Sequence, residues 1–231
     1  MRQYIKLILP PIIVIILKKI YYFYILKINS FFTSKNKQDI KIYDKKITAE
    51  KLENWGKGST WNEILMLINK KRGNILDVAC GTGFNIAQLK TINPQAIFYG
   101  CDISSQLITI ARQKGIDQKY LNLIDATKMR YPKNFFSYSY SIGSLEHFTE
   151  HGIESVIKKL SFNTSIASFH FVPVSRKNID EGWIKTFQTF HNNSVEWWRK
   201  KFKRKFKTVE IVDSSWSDFI SLGKWFLCFK K

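Results

Sequence analysis

The feature that most constrains the fold is a buried strand that runs directly into a glycine-rich turn. Residues 74–79 (Asn-Ile-Leu-Asp-Val-Ala) are almost continuously apolar, which is typical of a strand buried on both faces. The next four residues, 80–83 (Cys-Gly-Thr-Gly), precede a helical pattern. Glycine permits a tight turn there and lets a ligand approach the backbone N–H groups at the start of the helix. The sequence therefore predicts a ligand-binding turn at the end of this strand.

Strand and helix patterns alternate through the rest of the chain. Further strands are predicted at residues 96–101, 120–124, 136–141 and 166–172, with helical patterns between them. Such alternation indicates an α/β fold with a doubly wound, mainly parallel sheet. The runs at 208–212 and 224–229 have no long helix between them, so we expect them to pair as an antiparallel edge.

A helix is predicted at residues 61–71, before the first strand. Its apolar residues recur at helical spacing. Thr60 and Glu63 have the spacing of a capping box, in which each side chain bonds the backbone N–H of the other residue.

Acidic residues occur in or just after three successive strands. Asp77 lies near the end of the first strand, Asp102 follows the second and Asp125 follows the third. The carboxyl ends of parallel strands form the edge at which open α/β sheets bind ligands. Asp102 is placed to accept both ribose hydroxyls of a nucleoside, and Asp125 to accept an adenine amino group. Ile103 and Ala126 would offer apolar surface to the adenine ring.

These segments resemble the class I S-adenosylmethionine-dependent methyltransferases over residues 61–231. The resemblance is densest in residues 75–83, 100–112, 125–126 and 144–147. It implies a Rossmann-like fold with a seven-stranded sheet and an antiparallel final strand, and S-adenosylmethionine as cofactor. It also implies that Asp77 and the glycine turn hold the methionine portion. The residues expected to contact the cofactor are Asp77, Ala79, Gly81, Thr82, Gly83, Asp102, Ile103, Asp125, Ala126 and Ser141.

Methyl transfer to a hydroxyl oxygen needs a group that removes the proton. Histidine, with an unperturbed pKa of about 6.5, suits this role near neutral pH. His147 follows the fourth strand, and we expect it to be either the base or a structural polar residue. His191 belongs to an insertion at about residues 175–194 and is the second candidate, because such loops often carry function. His170 lies within an apolar strand pattern and is expected to be a hydrogen-bonded core residue.

No metal site is expected from the sequence. Cys80, Cys101 and Cys228 lack C-x-x-C spacing, and a reducing compartment suits unpaired cysteines. The fourth and fifth strands do not end in acids, so a metal-independent mechanism is preferred. Residues 141–144 (Ser-Ile-Gly-Ser) also differ from the D/N-P-P-Y/F motif of methyltransferases that act on the amino groups of nucleic-acid bases.

The first thirty residues differ in composition from the rest. An uncharged run at 7–17 is followed by two lysines, whereas a membrane span needs about 20 mostly apolar residues. A secretory signal peptide would need a small-residue cleavage site that is not evident. We expect a helix that begins at the Pro-Pro pair and lies on an anionic membrane surface. The alternative is a helix that packs on the domain or on a second subunit.

Three regions are therefore expected along the chain. They are an apolar and basic helix at 1–30, a polar connector at 31–59 and the methyltransferase-like domain at 60–231.

Positive charge dominates the composition. The chain has 37 Lys and Arg against 18 Asp and Glu, a formal charge of +19, which usually indicates a polyanionic partner. A general compositional bias toward lysine explains the charge equally well. The densest basic run is 199–207, where we expect Phe202 and Phe206 to point inward from a helix. The lysine and arginine side chains of this run would then face solvent, anionic lipid or RNA.

The function expected from these features is metal-independent O-methylation of a saccharide or lipid-linked cell-envelope precursor. The protein would act in the cytoplasm, with peripheral contact at the inner face of the membrane. Trp183, Trp197 and Trp198 would suit sugar rings or a lipid. One alternative is an RNA-directed methyltransferase that uses the 199–207 helix, with nucleic acid as a less favoured partner. The other is a non-catalytic protein that binds the cofactor or assists assembly.

Overall fold

The computed structural model describes residues 10, 12–18, 20–21, 24, 40–55, 58–185 and 188–230. The strands are β1 (Gly73–Val78), β2 (Ala96–Asp102), β3 (Leu121–Leu123), β4 (Phe136–Ile142), β5 (Thr164–Ser175), β6 (Trp183–Lys185), β7 (Thr189–His191), β8 (Thr208–Ser217) and β9 (Ser221–Phe229). The helices are α1 (Lys46–Asn54), α2 (Thr60–Ile68), α3 (Phe84–Ile92), α4 (Ser105–Gln113), α5 (Glu150–Asn163) and α6 (Val195–Lys203). Short 3₁₀ helices occupy Ile40–Asp44, Gln118–Tyr120, Ala126–Lys128 and Leu145–His147.

A seven-stranded sheet organises the described part of the chain. Its strand order is β3-β2-β1-β4-β5-β9-β8, and β6 and β7 form a separate two-stranded hairpin. The first five strands pair in parallel, whereas β9 runs antiparallel to both of its neighbours. The predicted fold class and the antiparallel final strand are therefore confirmed. The order reverses between β1 and β4, which is the point where such sheets bind ligands.

Strand β1 is buried on both faces, as its apolar sequence predicts. Ile75 packs into one hydrophobic cluster, and Leu76 and Val78 pack into the other. All three side chains are completely buried. This two-sided packing fixes the position of the turn that follows β1.

The capping box predicted for helix α2 does not form. Ser59 is the N-cap residue, and its side chain makes no capping hydrogen bond. Glu63 instead accepts hydrogen bonds from Ser214 Oγ (2.6 Å), from Ser215 N (2.7 Å) and Oγ (2.9 Å), and from Trp225 Nε1 (2.7 Å). The Glu63 carboxylate therefore joins α2 to strands β8 and β9. Its hydrogen bonds to four donors on these strands replace the single bond to the helix N-terminus that a capping box would provide.

Residues 40–55 are not an extended connector. They form a 3₁₀ helix and α1, and they bury Ile42, Thr48 and Ala49 against the domain. The Glu53 carboxylate forms an ion pair of 3.1 Å with Lys114, at the end of α4. Residues 31–39 of the predicted connector lie outside the described residues.

The described residues between 12 and 24 are helical and mostly exposed. Exposed fractions are 64% for Ile12, 48% for Ile16 and 58% for Ile20. Within the part of the chain that the structure describes, we find no helix long and apolar enough to cross a membrane. The other residues of the predicted 1–30 segment lie outside the described ones.

The Glu63 contacts predict a stability effect. We expect Glu63→Ala to lower the free energy of unfolding by about 1–3 kcal/mol, because the indole N–H of the buried Trp225 and the serine hydroxyls lose their acceptor. Burial raises the pKa of Glu63, but its hydrogen bonds outweigh burial and lower the pKa overall. The stabilisation is therefore present above the unfolded pKa and lost as the pH falls through the folded value.

Urea denaturation of the wild-type and Glu63→Ala proteins at several pH values measures this loss of stability. Glu210→Ala is the matched control, since Glu210 is an exposed carboxylate on β8. It should change stability by less than about 0.5 kcal/mol. Equal stability of the Glu63→Ala and wild-type proteins at neutral pH would contradict the assigned role.

Candidate cofactor and acceptor site

A cleft with about 1060 Å³ of empty volume opens at the carboxyl ends of β1, β2 and β4. Residues from the 40–61 region also line it. The lining residues are Tyr43, Leu52, Trp55, Thr60, Trp61, Ala79, Cys80, Gly81, Thr82, Phe84, Asn85, Cys101, Asp102, Ile103, Leu107, Ile124, Asp125, Ala126, Ile142, Gly143, Ser144, His147, Phe148 and Gln188.

The turn after β1 depends on residues with left-handed backbone conformations. Ala79, Gly81 and Gly83 have φ values of 55°, 56° and 69°. A Cβ atom on Gly83 would lie 2.5 Å from Ile116 Cδ1, so no larger residue fits there without rearrangement. Gly83 itself does not line the cleft, whereas Ala79, Gly81 and Thr82 do. Gly83 therefore shapes the turn, and its predicted contact with the cofactor stays a prediction.

Asp102 links the glycine turn to the next helix. Its Oδ2 accepts a hydrogen bond of 2.8 Å from the Gly81 N–H, and its Oδ1 accepts one of 2.9 Å from the Ser104 N–H. The residue is only 6% exposed but lines the cleft beside Ile103. Its carboxylate is thus fixed at the position where the sequence predicts a ribose contact.

Asp125 lines the cleft, and one of its carboxylate oxygens has no donor among the described residues. Its Oδ1 accepts hydrogen bonds of 2.8 Å from both the N–H and the hydroxyl of Thr127. Among the described residues, no donor bonds to its Oδ2. Ile124 and Ala126 line the cleft on either side of it. This combination of one acceptor atom and apolar surface suits an adenine ring with its amino group.

Asp77 lies behind the cleft wall rather than in the lining. It is 2% exposed and pairs in register with Gly100 of β2 and Tyr140 of β4. Burial raises its pKa well above the usual range, and Tyr140 lies close enough to influence that pKa. Its Oδ2 has no hydrogen-bond partner among the described residues. A buried oxygen of this kind normally needs a donor from water or a ligand.

His147 has a defined tautomer. Its Nδ1 lies 2.8 Å from the Thr189 carbonyl oxygen, and a carbonyl can only accept, so Nδ1 carries the proton. The Nε2 atom is then an acceptor, and the side-chain amide of Gln188 donates to it. Burial lowers the pKa of His147 to about 4, although the bond to Thr189 opposes this effect. The imidazole is therefore neutral at physiological pH, and both His147 and Gln188 line the cleft.

Ser141 and His191 do not line the cleft, contrary to expectation. Ser141 is fully buried, and its hydroxyl lies 2.8 Å from His170 Nδ1. Because side chains alternate along a strand, Ser141 lies on the face of β4 opposite to Ile142, which does line the cleft. His170 Nε2 is 2.7 Å from Ser168 Oγ, which confirms that His170 is a hydrogen-bonded core residue.

Trp183 of the insertion and Trp197 of α6 pack against His191 and do not line the cleft. The His191 ring lies 4.5 Å from the Trp183 ring and 5.3 Å from the Trp197 ring, centroid to centroid. Trp198 is fully buried. Neither His191 nitrogen has a hydrogen-bond partner among the described residues, and burial lowers the pKa of His191 to about 4. This cluster is packing for the β6–β7 hairpin, and its tryptophans do not line an acceptor pocket.

Several cleft residues lay outside the sequence-based prediction. Trp55 follows α1, and a Cβ atom on Gly143 would lie 2.6 Å from its ring. Gly143 has a φ of 58°, so glycine is needed there for both space and conformation. Gln188 was also missed. The sequence signal for Trp55 was weak because residues 40–55 have a polar, lysine-rich composition.

Sequence and fold comparisons agree with this geometry. Residues 75–162 match a family model described as a methyltransferase domain. A tRNA (carboxymethyluridine(34)-5-O)-methyltransferase from Arabidopsis thaliana is 38% identical over 87 residues, which are 37% of this chain and 20% of the relative. The chain thus spans about a fifth of the length of that relative.

Two solved structures share the fold. The PH0226 protein from Pyrococcus horikoshii OT3 is 20% identical, with a TM-score of 0.57 over 74% of this chain and 89% of the other. A geranyl diphosphate C-methyltransferase from Streptomyces coelicolor A3(2), solved with Mg²⁺, geranyl diphosphate and S-adenosyl-L-homocysteine, is 10% identical. Its TM-score is 0.58 over 74% of this chain and 77% of the other. Residues 75–162 therefore carry a methyltransferase domain, and the chain is similar to class I S-adenosylmethionine-dependent methyltransferases, whose cofactor is S-adenosylmethionine.

The strand-end residues fit this cofactor. The Asp125 oxygen that lacks a donor among the described residues can accept a hydrogen bond from the adenine amino group. The buried Asp102 carboxylate can bind the ribose, and the glycine turn lets the cofactor approach the backbone closely. Asp77 lies behind the turn and does not line the cleft, so in this structure it supports the turn and does not face a ligand directly.

This fit predicts the effect of removing the Asp102 carboxylate. We expect Asp102→Ala to weaken binding of S-adenosylhomocysteine by about 10–100-fold, because hydrogen bonds to a charged group are worth about 1.5–3 kcal/mol. Isothermal titration calorimetry measures the affinity. Asp117→Ala is the control, since Asp117 is an exposed carboxylate outside the cleft. Wild-type affinity in Asp102→Ala would rule out the ribose assignment.

Proposed function

We propose that the protein transfers a methyl group from S-adenosylmethionine to an oxygen atom of an acceptor, with His147 as the general base. The observation that carries the proposal is that His147 Nε2 is an acceptor atom in the same cleft as Asp102 and Asp125. The cofactor and the base would therefore share one cavity.

The strand-end residues would hold the cofactor along the sheet edge. Asp125 and Ala126 would hold the adenine, Asp102 the ribose, and the turn after β1 the methionine portion. When bound, S-adenosylmethionine supplies a methyl group on a positively charged sulfur. The protein then needs mainly to orient the acceptor oxygen, and such positioning can contribute about 7–11 kcal/mol to the reaction.

His147 would remove the proton as the transfer occurs. The acceptor hydroxyl would replace the Gln188 amide as the donor to Nε2. Nε2 would take the hydroxyl proton as the acceptor oxygen receives the methyl group that the cofactor would supply. The Thr189 carbonyl holds Nδ1–H throughout, so the ring keeps its orientation. Because the pKa of His147 is about 4, the base would be available at all pH values well above 4.

The acceptor we propose is a saccharide or a lipid-linked cell-envelope precursor. Trp55 and Trp61 line the cleft, and aromatic faces provide apolar contact with a polar edge nearby. Asn85 and Gln188 add side-chain amides that can bond hydroxyl groups. Trp55 and Trp61 thus take the role in acceptor binding that the sequence had suggested for Trp183, Trp197 and Trp198.

The exposed N-terminal helix supports action at a membrane surface. Ile12, Ile16 and Ile20 recur at intervals of four residues and are all well exposed, so they can form one apolar stripe. Tyr21 and Tyr24 are also exposed, at 57% and 66%, and tyrosine favours the headgroup region of a bilayer. We propose that this helix binds an anionic membrane face in the cytoplasm.

A second candidate function is methylation of RNA. It is favoured by the 38% identity to a tRNA methyltransferase over 87 residues. The basic run at 199–207 supports it less than its charge suggests, because Lys201 and Arg204 are paired with acids of α5. Phe202 and Phe206 are both buried as expected, but α6 ends at Lys203, so Phe206 lies beyond the helix. The remaining exposed lysines could contact solvent, lipid or RNA equally well.

Labelled methyl transfer distinguishes these candidates. The purified protein and methyl-labelled S-adenosylmethionine are incubated with separate lipid, polysaccharide and RNA fractions of a cell extract. Label in the lipid or polysaccharide fraction supports the proposal, and label in RNA alone supports the second candidate. Tight binding of S-adenosylhomocysteine without transfer to any fraction would indicate a non-catalytic protein.

Removing the base should separate catalysis from cofactor binding. We expect His147→Gln to lower the rate of transfer by about 10²–10⁴-fold, while the affinity for S-adenosylhomocysteine stays within about threefold. His151→Gln is the control, because His151 is an exposed histidine four residues further along the chain, on α5, and it does not line the cleft. Undiminished transfer by His147→Gln would exclude His147 as the base.

The apolar stripe should determine membrane binding. We expect the triple variant Ile12→Ser, Ile16→Ser and Ile20→Ser to lose co-sedimentation with vesicles of anionic phospholipid, since each substitution removes buried apolar area at the membrane. A control triple variant replaces Met66, Ile92 and Ile179, which are exposed at 84%, 43% and 52% on the domain, with serine. If the two triple variants co-sedimented with the vesicles to the same extent, that result would contradict the membrane proposal.

A further inference from the structure

Glu146 is a buried acid directly beside the proposed base. It lies on the 3₁₀ helix Leu145–His147 and is 2% exposed. Its Oε1 lies 3.8 Å from His147 Nε2, and its Oε2 has no hydrogen-bond partner among the described residues. Glu146 does not line the cleft, so it reaches a substrate only through His147.

We propose that Glu146 is a positioning residue whose carboxylate stabilises the imidazolium that forms at His147 during methyl transfer. This inference rests on the proposed function. A proton on the buried His147 creates a positive charge that water cannot stabilise. The Glu146 carboxylate, which lies beside Nε2, provides the opposite charge. The proton stays on the His147–Glu146 pair until it returns to solvent with product release, so no other reactant is needed.

The surroundings make Glu146 the acid in contact with His147. Strand β7 contributes His191, whose charge state affects His147. The Lys201 ammonium and the Glu150 carboxylate face His191 from α6 and α5, 2.6 Å apart. These two charges compensate each other, whereas the Glu146 carboxylate has no cation partner within ion-pair distance among the described residues, apart from His147 when protonated.

The proposal predicts a characteristic pH dependence. Burial raises the pKa of Glu146 to about 8, so its carboxylate form increases as the pH rises through 8. The transfer rate should increase over the same range, whereas a neutral His147 alone would give a flat profile above its own pKa. The two groups titrate as a pair, so the inflection belongs to both of them.

Histidine NMR tests the coupling without an acceptor. The Cε1–H signals of ¹³C-labelled protein bound to S-adenosylhomocysteine are followed from pH 6 to pH 10. We expect the His147 signal to shift with a midpoint near 8 in the wild type and in Glu150→Gln, and the shift to disappear in Glu146→Gln. Glu150 is the matched control because it is a carboxylate near the same residues that does not touch His147. A flat His147 signal in the wild type, or the same shift in Glu146→Gln, overturns the proposal, and the wild-type measurement holds even if the variant fails to fold.

A kinetic measurement then tests the consequence, with the fraction that accepts label as substrate. We expect Glu146→Gln to lower kcat at pH 9 by about tenfold, with KM and the affinity for S-adenosylhomocysteine within twofold, and to lose the inflection near pH 8. Glu146→Asp should restore part of the pH dependence. An unchanged kcat and pH profile in Glu146→Gln overturns this inference alone, whereas failure of the wild type to transfer label to any fraction overturns the proposed function.

Discussion

The hydrogen bond from the Gly81 N–H to the Asp102 carboxylate joins the two strands that define the cleft. The other oxygen of the same carboxylate bonds the Ser104 N–H at the start of α4. One buried acid therefore fixes the turn after β1 and the helix after β2, and it remains at the cleft surface. The left-handed conformations of Gly81 and Gly83 let the turn reach this acid. Because the same group shapes the backbone and faces the ligand, the fold and the site cannot vary independently here.

The strand-end acids were predictable from sequence, and several other contacts were not. Parallel β-α-β units bring the carboxyl ends of their strands to one edge, so the spacing of Asp102 and Asp125 is enough to place them together. Ser141 was misplaced because the family resemblance gives a position on a strand, whereas the two-residue alternation decides which face it occupies. Glu63 was misplaced for another reason. Its donor Ser214 is 151 residues away, and no local pattern reports a contact over that separation.

One wall of the cleft comes from residues before the family-matched region of 75–162. Tyr43, Leu52 and Trp55 line it, and the Trp55 ring packs where Gly143 has no side chain. This role is not evident from the sequence, because residues 40–55 are mostly polar and only a few of their side chains are buried. The wall formed by the strand ends can therefore be read from the shared motifs of the class. The wall formed by residues 40–61 lies outside the family-matched region, and in the proposed reaction it would meet the acceptor.

Three buried histidines show why a shifted pKa does not identify the base. Burial lowers the pKa of His147, His170 and His191 to about 4, 3 and 4. His170 bonds serine hydroxyls with both nitrogens, so it has no free acceptor for a substrate. His191 lies between tryptophan rings away from the cleft. Only in His147 does a fixed backbone carbonyl hold one nitrogen while a side-chain amide, which can rotate away, occupies the other. The asymmetry of its hydrogen bonds, together with its place in the cleft, is what suits His147 to accept a proton.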